Sequence, residues 1–434
     1  MSKTASKILL ANIKDYVGQT VTIDGWIYNL RSSGKINFWQ IRDGSGFIQA
    51  VLSATDLSEA KWALSQQATQ ETSVKLSGVV NKHPKKEEYE IVVKDFDFYQ
   101  ISEEWPIGNK DHGIEFLMDN RHLWLRAKRQ WAIQRLRNTL ILATYNYFNL
   151  NNFTKIDSPI LTPTAGENTT ELFKVKYFDE EAYLSQTGQL YLEAALPAFA
   201  RVYDFGPTFR AEKSKTRRHL TEFWMMDAEM AFCDLDGNLK IQEELIKFMT
   251  MEVLKHNQDE LRILERDTSI LEQIIKKPFY RLTHAQAVEA LQKLGSDIKA
   301  DEDLGGDDET LLTKQYDAPI FITNYPAKIK AFYMKRNADN QDLAECADLL
   351  APEGYGEIIG GSQREEDYDT LKRRIIDYGL KPENYDWYLD LRKYGSVPHG
   401  GFGFGLERIV TWLCGLEHVR ESIPFPRTIY RLKP

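Results

Sequence analysis

The sequence predicts an α+β protein with a small all-β N-terminal domain and a larger C-terminal domain that combines helices with strands. In the first hundred residues, β-branched and aromatic residues alternate with polar ones, whereas apolar residues at helical spacing begin near Trp124. The 434 residues are enough for two or three domains with full cores. A hydrophobic share of 42% and a charged share of 27% are typical of soluble globular proteins.

Five runs in the N-terminal region predict β-strands: TVTIDGWIYNLR (20–31), INFWQI (36–41), GFIQAVLS (46–53), SVKLSGVV (73–80) and YEIVVKDFDFY (89–99). The turn RDGSG (42–46) joins the second run to the third as a hairpin, and LSEAKWALSQQA (57–68) predicts a short helix. Five strands with a helix after the third are the layout of an OB-fold, a small barrel that often binds oligonucleotides. A barrel of this layout without a ligand is the alternative that the pattern leaves open.

A polar, turn-rich segment, EEWPIGNKDHG (103–113), indicates the domain boundary. We therefore assign residues 1–102 to the barrel, residues 103–123 to a linker and residues 124–434 to the C-terminal domain. Within that last domain, a helix is predicted from the spacing of Leu136, Leu140, Ile141, Thr144 and Phe148.

Further along the C-terminal domain, helical segments predict an insertion at about 238–315. It contains LGGDDE (304–309), which is typical of an exposed turn. The strand pattern resumes at PIFITNYP (319–326) and AFYMK (331–335).

Composition excludes several classes of protein. The chain has no run of about 18 apolar residues, so no membrane span is expected, and its start lacks the features of a secretory signal. Three scattered cysteines, Cys233, Cys346 and Cys414, are typical of core residues in a reducing compartment and offer no zinc spacing. We therefore expect a cytoplasmic protein. The net charge of −9 weakly disfavours nucleic-acid binding, but 55 Lys and Arg residues leave room for a basic face.

Charged residues occur within strand-like sequence in one pair of segments. In FRAE, Arg210 and Glu212 alternate with apolar residues, and MMDAEMAF repeats this pattern with Asp227 and Glu229. A hairpin would bring Arg210 beside Phe223 and Asp227. The flanking residues are apolar and are expected to be buried: Phe209, Phe223, Trp224, Met225 and Met226. Because buried charges are costly unless they are paired or contact a ligand, this pattern favours a binding site over a surface hairpin with ordinary ion pairs.

Similar polar groups in strand-like sequence occur in four other segments: SQTGQLYLEA (185–194), ADLLAPEGYGEIIGGSQRE (347–365), HGGFGFGLER (399–408) and IPFPR (423–427). The glycine-rich run at 399–408 could close around a phosphate or allow tight packing of a bent strand. Taken alone, it leaves both interpretations open.

These segments together resemble the motifs of the class II aminoacyl-tRNA synthetases. FGPTFRAEKSKTRRHLTEF (205–223) resembles motif 2, GFGFGLER (401–408) resembles motif 3, and the helix leading to FTKIDSPIL (153–161) resembles motif 1. The resemblance runs along essentially the whole chain and is to the aspartyl, asparaginyl and lysyl subgroup, which carries an N-terminal OB-fold for the anticodon. YGEIIGGSQRE (355–365) and WYLDLRKYGSVPHGGFGFGLER (387–408), with IPFPR, are most similar to the asparaginyl enzymes.

The resemblance implies a fold and a reaction. The fold is an antiparallel sheet flanked by helices. The reaction is the ATP-dependent conversion of asparagine to asparaginyl-adenylate, followed by transfer to the 3′ end of tRNA(Asn), with ATP and Mg²⁺ as cofactors. The resemblance also implies a homodimer formed through motif 1 (about 128–162), with Pro159 near the partner's active site.

The resemblance places two catalytic arginines on ATP, Arg408 at the γ-phosphate end and Arg210 at the α-phosphate. Phe223 matches the aromatic residue that stacks on adenine, opposite Arg408. Glu212 and His219 match positions around the adenine and the phosphate tail. The acids that match the magnesium ligands are Asp348 and Glu357.

The resemblance implies five contacts to the amino acid: Glu167, Gln189, Glu193, Asp227 and Arg364. Arg364 matches the arginine on the side-chain oxygen of the substrate, and Glu167 and Gln189 match positions around its α-amino group. Leu192 stands where aspartyl enzymes have a lysine, so a positive charge that would attract aspartate is missing. Asp227 or Glu193 would accept a hydrogen bond from the amide of asparagine.

The barrel carries the implied anticodon contacts. Phe38 and Gln49 match the residues that stack on and read the middle base, and Arg31 matches a backbone-binding arginine. Three alternatives remain open at this point: an aspartyl enzyme, including one that charges both tRNAs; a tRNA-independent asparagine synthetase on the same catalytic fold; and a binding module that kept the fold without catalysis.

Overall fold

The computed structural model describes residues 6–83, 88–108, 110–163, 166, 171–214 and 216–434. The chain divides into two compact units, Met1–Gly113 and Ile114–Pro434. The division falls within the segment 103–123 that the sequence assigns to a linker. From residue 114 onward that segment belongs to the second unit, where it contributes to two short helices, Ile114–Asp119 and Arg121–Trp124.

The first unit is a closed barrel. Its strands are β1 (Ser6–Lys7), β2 (Thr20–Ser33), β3 (Ile36–Arg42), β4 (Phe47–Ser53), β5 (Ser73–Lys82) and β6 (Tyr89–Gln100). A 3₁₀ turn (Leu10–Tyr16) follows β1, and helix α1 (Glu59–Ser65) follows β4. The sheet order is β1-β2-β3-β4-β6-β5, and β2 also pairs with β5, which closes the barrel. The predicted five strands, hairpin and helix are therefore confirmed.

Alternation along the strands decides which side chains enter the barrel. In β3, Asn37, Trp39 and Ile41 are buried, whereas Phe38 and Gln40 are half-buried. Trp39 packs edge-on against Phe96 in the barrel core, with ring centroids 5.0 Å apart. Because successive side chains of a strand point to opposite faces, Phe38 lies on the outer face of the barrel.

The second unit contains twelve helices among the residues that the structure describes: α2 (Ile114–Asp119), α3 (Arg121–Trp124), α4 (Lys128–Leu150), α5 (Gln189–Phe199), α6 (Leu235–His256), α7 (Gln258–Ile263), α8 (Thr268–Lys276), α9 (His284–Lys293), α10 (Gly306–Thr313), α11 (Tyr368–Asp377), α12 (Asp386–Asp390) and α13 (Leu406–Cys414). Its strands are β7 (Thr154–Lys155), β8 (Leu161–Thr162), β9 (Lys174–Tyr177), β10 (Glu180–Leu184), β11 (Arg201–Phe209), β12 (Glu222–Ala231), β13 (Tyr280–Thr283), β14 (Ile320–Thr323), β15 (Cys346–Ala351), β16 (Gly356–Gln363) and β17 (His399–Gly405).

An eight-stranded sheet organises this unit, in the order β13-β14-β15-β16-β17-β12-β11-β7. Its central strands, from β14 to β11, are antiparallel, and one parallel pair lies at each edge. Helices α4, α6 and α13 bury apolar side chains in one core with the sheet, among them Leu136, Leu245 and Ile409. The predicted α+β architecture of a helix-flanked, largely antiparallel sheet is confirmed. No helix in the described ranges is long and apolar enough to cross a bilayer.

Three local predictions are wrong. The strand predicted at 331–335 is instead a turn with an isolated bridge at Met334. Its residues Ala331, Phe332 and Tyr333 pack in a buried aromatic cluster. The segment 304–309 is not an exposed turn: α10 begins at Gly306, and Leu304 is buried. The segment 185–194 is not strand-like throughout, since α5 begins at Gln189.

The motif 2 hairpin also differs in detail from its prediction. Strand β11 ends at Phe209, so Arg210 and Glu212 follow the strand instead of alternating along it. Of the apolar flanking residues, Met226 is buried but Trp224 is 39% exposed, because β12 presents that side chain on its outer surface. Of the cysteines, Cys346 and Cys414 are buried in the core as expected, whereas Cys233 is only half-buried.

Candidate active site

A cavity of about 500 Å³ opens over the middle of the large sheet. Strand β12 contributes Phe223, Met225 and Asp227, which share one face because side chains of a strand alternate. Strand β17 pairs with β12 and contributes glycines to the same part of the cavity. A Cβ on Gly403 would lie 2.3 Å from Asp227 Oδ1, so only glycine lets β17 approach that carboxylate. The glycine-rich run thus forms part of the cavity floor.

Two arginines define one end of the cavity. Arg408 lies in the first turn of α13, and its Nη1 donates to the carbonyl oxygen and to Oε2 of Glu357, each at 2.9 Å. Burial lowers the pKa of Arg408, but Glu357 and Glu309 outweigh this effect, so its pKa is raised. Arg210 lines the same cavity, and its backbone N–H donates to the carbonyl of Thr221. This end can therefore stabilise an anion.

His219 and Glu212 also line the arginine-rich end. The Nδ1 of His219 lies within hydrogen-bond reach of Thr216 Oγ1. Burial and the nearby charge of Arg408 lower the pKa of His219 to about 4. The ring is therefore neutral at pH 7 and can accept or donate a hydrogen bond without adding a charge.

Two carboxylates converge next to Arg408. A Cβ on Gly360 would lie 3.3 Å from Glu357 Oε1 and 3.6 Å from Asp348 Oδ1, so both oxygens face the same point above β16. Asp348 Oδ2 accepts from Lys330 Nζ at 2.8 Å. Burial raises the pKa of Asp348 to about 6 despite Lys330, whereas Arg408 keeps the pKa of Glu357 below its ordinary value despite burial.

The carboxylates at this end of the cavity can bind a divalent cation such as Mg²⁺ only if a bound ligand supplies further oxygen atoms. The described residues contain no cluster of three or more His, Cys, Asp or Glu side chains that could hold a metal. Asp348 and Glu357 supply two carboxylates, and Mg²⁺ commonly completes such a pair with phosphate oxygens and water. The two acids therefore fit a magnesium ion that arrives with a nucleotide.

The opposite end of the cavity is built around a buried ion pair. Arg364 lines the cavity and its Nε donates to Oε1 and Oε2 of Glu229 at 3.1 and 3.2 Å. The Nη1 of Arg364 donates to Ser362 Oγ at 2.7 Å. Although burial opposes its charge, Glu229 raises the pKa of Arg364. The guanidinium is thus charged and is oriented by its hydrogen bonds to two neighbours, Glu229 and Ser362.

Asp227 lies near this end as a second polar group on the cavity wall. Its Oδ2 accepts from Thr187 Oγ1 and from the backbone N–H of Gly188, both at 2.8 Å. Burial and the neighbouring Asp204 raise the pKa of Asp227 to about 6. Asp227 is not directly opposite Arg210 in the hairpin, because its register partner in β11 is Asp204. Both residues nevertheless line one cavity.

Two residues discussed from the sequence lie away from the cavity surface. Leu192, which stands where aspartyl enzymes have a lysine, is fully buried in an apolar cluster with Leu196 and Val202 and does not line the cavity. Glu193 also does not line the cavity and lies behind Gln189, which does. Glu167 lies outside the described residues.

The sequence pattern identified Glu229 in the alternation along β12 but assigned it no contact in the site. Other residues of the site were missed. Glu309 and Tyr333 line the cavity from segments interpreted as a turn and a strand, and Lys330 lines it from the stretch between two predicted strands. No local signal marks them, since each reaches the cavity through the path of the chain.

The barrel holds the three predicted anticodon residues on its outer face. Arg31 in β2 is directly opposite Phe38 in β3, and its guanidinium carbon lies 4.6 Å from the centre of the Phe38 ring. Arg31 Nη2 donates across 3.5 Å to Gln49 Oε1 of β4. An exposed cation, an aromatic ring and an amide thus form one surface that can stack on a base and contact its phosphate.

Comparison with known families gives this geometry a context. The sequence profile of the tRNA synthetases class II (D, K and N) matches residues 113–429. The chain belongs to this family. A second profile, that of the OB-fold nucleic acid binding domain that contacts the tRNA anticodon, matches residues 21–98. The protein is therefore an aminoacyl-tRNA synthetase, a ligase, with an anticodon-binding barrel.

Solved structures resemble this synthetase over its whole length. Asparaginyl-tRNA synthetase from Pyrococcus horikoshii, complexed with asparaginyl-adenylate, is 41% identical with a TM-score of 0.95, covering 99% of this chain and 100% of that one. Asparaginyl-tRNA synthetase from Entamoeba histolytica, in complex with the same adenylate, is 33% identical with a TM-score of 0.90 and full coverage of both chains. Aspartyl-tRNA synthetase from Entamoeba histolytica is 26% identical, with a TM-score of 0.83 and coverage of 100% and 94%.

Proposed function

We propose that this synthetase activates asparagine with ATP and transfers it to the 3′ end of tRNA(Asn). The observation that carries the proposal is the likeness to two asparaginyl enzymes in complex with asparaginyl-adenylate, at 41% and 33% identity over essentially the full chain. The aspartyl enzyme is more distant, at 26%. The arrangement of charges in the cavity supports the same substrate.

The first step joins the asparagine carboxylate to the α-phosphorus of ATP and releases pyrophosphate. No side-chain base is needed, because the attacking carboxylate is already ionised. Catalysis then depends on alignment and on neutralising charge at the phosphorus. Arg210 would contact the α-phosphate, Arg408 the far phosphates, and Phe223 the adenine ring. Mg²⁺ bound at Asp348 and Glu357 would neutralise the phosphates.

The Arg364–Glu229 pair supports asparagine over aspartate. Arg364 can donate to the side-chain oxygen of either amino acid. Glu229, however, already compensates its charge, so the pair offers no net positive charge to a second carboxylate oxygen. Asp227, on the same wall, can accept a hydrogen bond from the amide NH₂ of asparagine. With aspartate as the ligand, its second side-chain oxygen would face the carboxylate of Asp227. Both groups are hydrogen-bond acceptors, and burying them against each other is strongly unfavourable.

In the second step, a hydroxyl of the terminal ribose of tRNA attacks the acyl carbonyl and AMP leaves. The surface of Arg31, Phe38 and Gln49 would hold the anticodon while this occurs.

We also propose a cytoplasmic homodimer formed through α4 and β7. Exposed apolar side chains on α4, such as Leu142 at 54% and Leu150 at 69%, support an interface there. Analytical ultracentrifugation at micromolar concentration tests it, and an active monomer would contradict it.

ATP–pyrophosphate exchange with asparagine and aspartate side by side tests the main proposal. We expect exchange with asparagine and a rate with aspartate lower by at least about 100-fold, which is typical of sites that discriminate through buried polar groups. Equal exchange with both amino acids would replace this proposal with an aspartyl enzyme that charges both tRNAs.

A further inference from the structure

Glu193 lies at the centre of a buried hydrogen-bond network behind the amino-acid end of the cavity. Its side chain is 1% exposed. Tyr388 Oη lies 2.8 Å from each of its oxygens, Arg392 Nη2 donates to Oε2 at 2.6 Å, and His399 Nε2 lies 3.0 Å from Oε2. Gln189 Nε2 donates to Oε1 at 3.1 Å.

The charges around Glu193 decide its ionisation. Burial favours the neutral acid, but Arg392 and His399 outweigh burial and hold the pKa of Glu193 well below its ordinary value. An ionised carboxylate has acceptors only. Every neighbour in the network must therefore present a donor to it.

This requirement fixes the side-chain amide of Gln189. The two residues are four apart on α5 and so share one face of the helix. The NH₂ group of Gln189 must face Glu193, because its carbonyl oxygen would be repelled there. The opposite edge of the planar amide, which carries Oε1, is then directed away from Glu193. Since Gln189 itself lines the cavity, that acceptor is presented to the ligand.

We propose that Glu193 is a positioning residue, which orients the Gln189 amide so that its oxygen accepts a hydrogen bond from the substrate α-ammonium group. The inference rests on the proposed function, because it takes an amino acid as the ligand. A reversed amide would direct two N–H donors at an ammonium group. Glu193 thus selects for a cationic group at this place without touching the substrate.

The test compares two ligands that differ only in the ammonium group. Asparagine carries it, and succinamate, which is asparagine without its α-amino group, does not. In Glu193→Gln the new amide can offer its own NH₂, so the Gln189 amide is free to reverse. We expect the dissociation constant of asparagine to rise ~10- to 100-fold, as for loss of a hydrogen bond to a charged group. Binding of succinamate and of ATP should change by less than about threefold.

Two further variants separate positioning from general loosening of the fold. Glu193→Asp keeps the charge that Arg392 and His399 need but withdraws it from Gln189, so it should also lose asparagine selectively. Tyr388→Phe removes a donor from the same carboxylate but leaves Gln189 in place, so any loss should be equal for both ligands. In the double variant with Gln189→Ala, Glu193→Gln should add no further loss, because it acts through Gln189.

The outcomes are separable by isothermal titration calorimetry with circular dichroism as a folding control. Equal losses for asparagine and succinamate in the Glu193 variants, or failure of both variants to fold, would make Glu193 a structural residue and overturn the inference. If the unaltered protein does not bind asparagine at all, the proposed function fails instead.

Discussion

Arg364 and Glu229 form an ion pair in which both side chains are almost fully buried, at 4% and 1% exposure. They are 135 residues apart in sequence and meet because β16 and β12 both pair with β17. Arg364 lines the cavity, so the pair presents a charged donor with its charge already compensated. This arrangement provides a physical reason for selecting a neutral amide over a carboxylate.

Glu229→Gln should shift specificity toward aspartate. The substitution leaves Arg364 with an uncompensated positive charge, which favours a carboxylate ligand. We expect the ratio of kcat/KM for asparagine to that for aspartate to fall by at least about tenfold, since buried charge pairs couple strongly. Pyrophosphate exchange with each amino acid measures this ratio. Ser362→Ala is the control, because it removes a neutral partner of Arg364, and an unchanged ratio in Glu229→Gln would contradict the explanation.

Arg408→Ala and Arg210→Ala should each abolish adenylate formation while leaving the protein folded. Each removes a positive charge from a phosphate in the transition state, an effect of about 3–4 kcal/mol or more by comparison with other charge-stabilising groups. Pyrophosphate exchange measures the loss, and circular dichroism checks the fold. Arg262→Ala, which removes an exposed arginine paired with Asp259, is the matched control. Near-normal exchange in either cavity variant would refute its assignment.

Leu192→Lys should destabilise the protein instead of recruiting aspartate. Leu192 is fully buried among Leu196 and Val202, so a lysine would enter an apolar cluster without a partner. We expect the free energy of unfolding to fall by several kcal/mol, roughly 3 or more. Urea denaturation measures this change. Leu432→Lys, at a position that is 80% exposed and outside α4 and β7, should leave stability nearly unaltered. A stable Leu192→Lys protein that uses aspartate would show that the side chain reaches the substrate after all.

Phe38→Ala should slow tRNA charging but spare amino-acid activation. The ring lies on the outer face of the barrel beside Arg31, and loss of base stacking costs about 1–3 kcal/mol. We expect kcat/KM for tRNA to fall by about 5- to 150-fold with unchanged pyrophosphate exchange. Trp26→Ala, which removes another exposed aromatic residue of the barrel, controls for loosening of the fold. Equal losses in both half-reactions would contradict an anticodon contact by Phe38.

The sequence by itself determined the barrel and several of the charged groups that line the cavity. Alternation of apolar and polar residues is a local property, so it predicted the five strands of the barrel, whereas the anticodon contact of Phe38 was implied only by the resemblance. The ordered motifs likewise indicated Arg210, Asp348, Glu357, Arg364 and Arg408. All five line the cavity.

Only the tertiary structure decided what lies behind the cavity. A helix begins at Gln189, so its period of 3.6 residues turns Leu192 toward Leu196 and places Glu193 beneath Gln189. Three partners of Glu193, namely Tyr388, Arg392 and His399, are 195, 199 and 206 residues away in sequence. The ionisation and role of a buried carboxylate depend on such distant donors, because desolvation and pairing act through space and not along the chain.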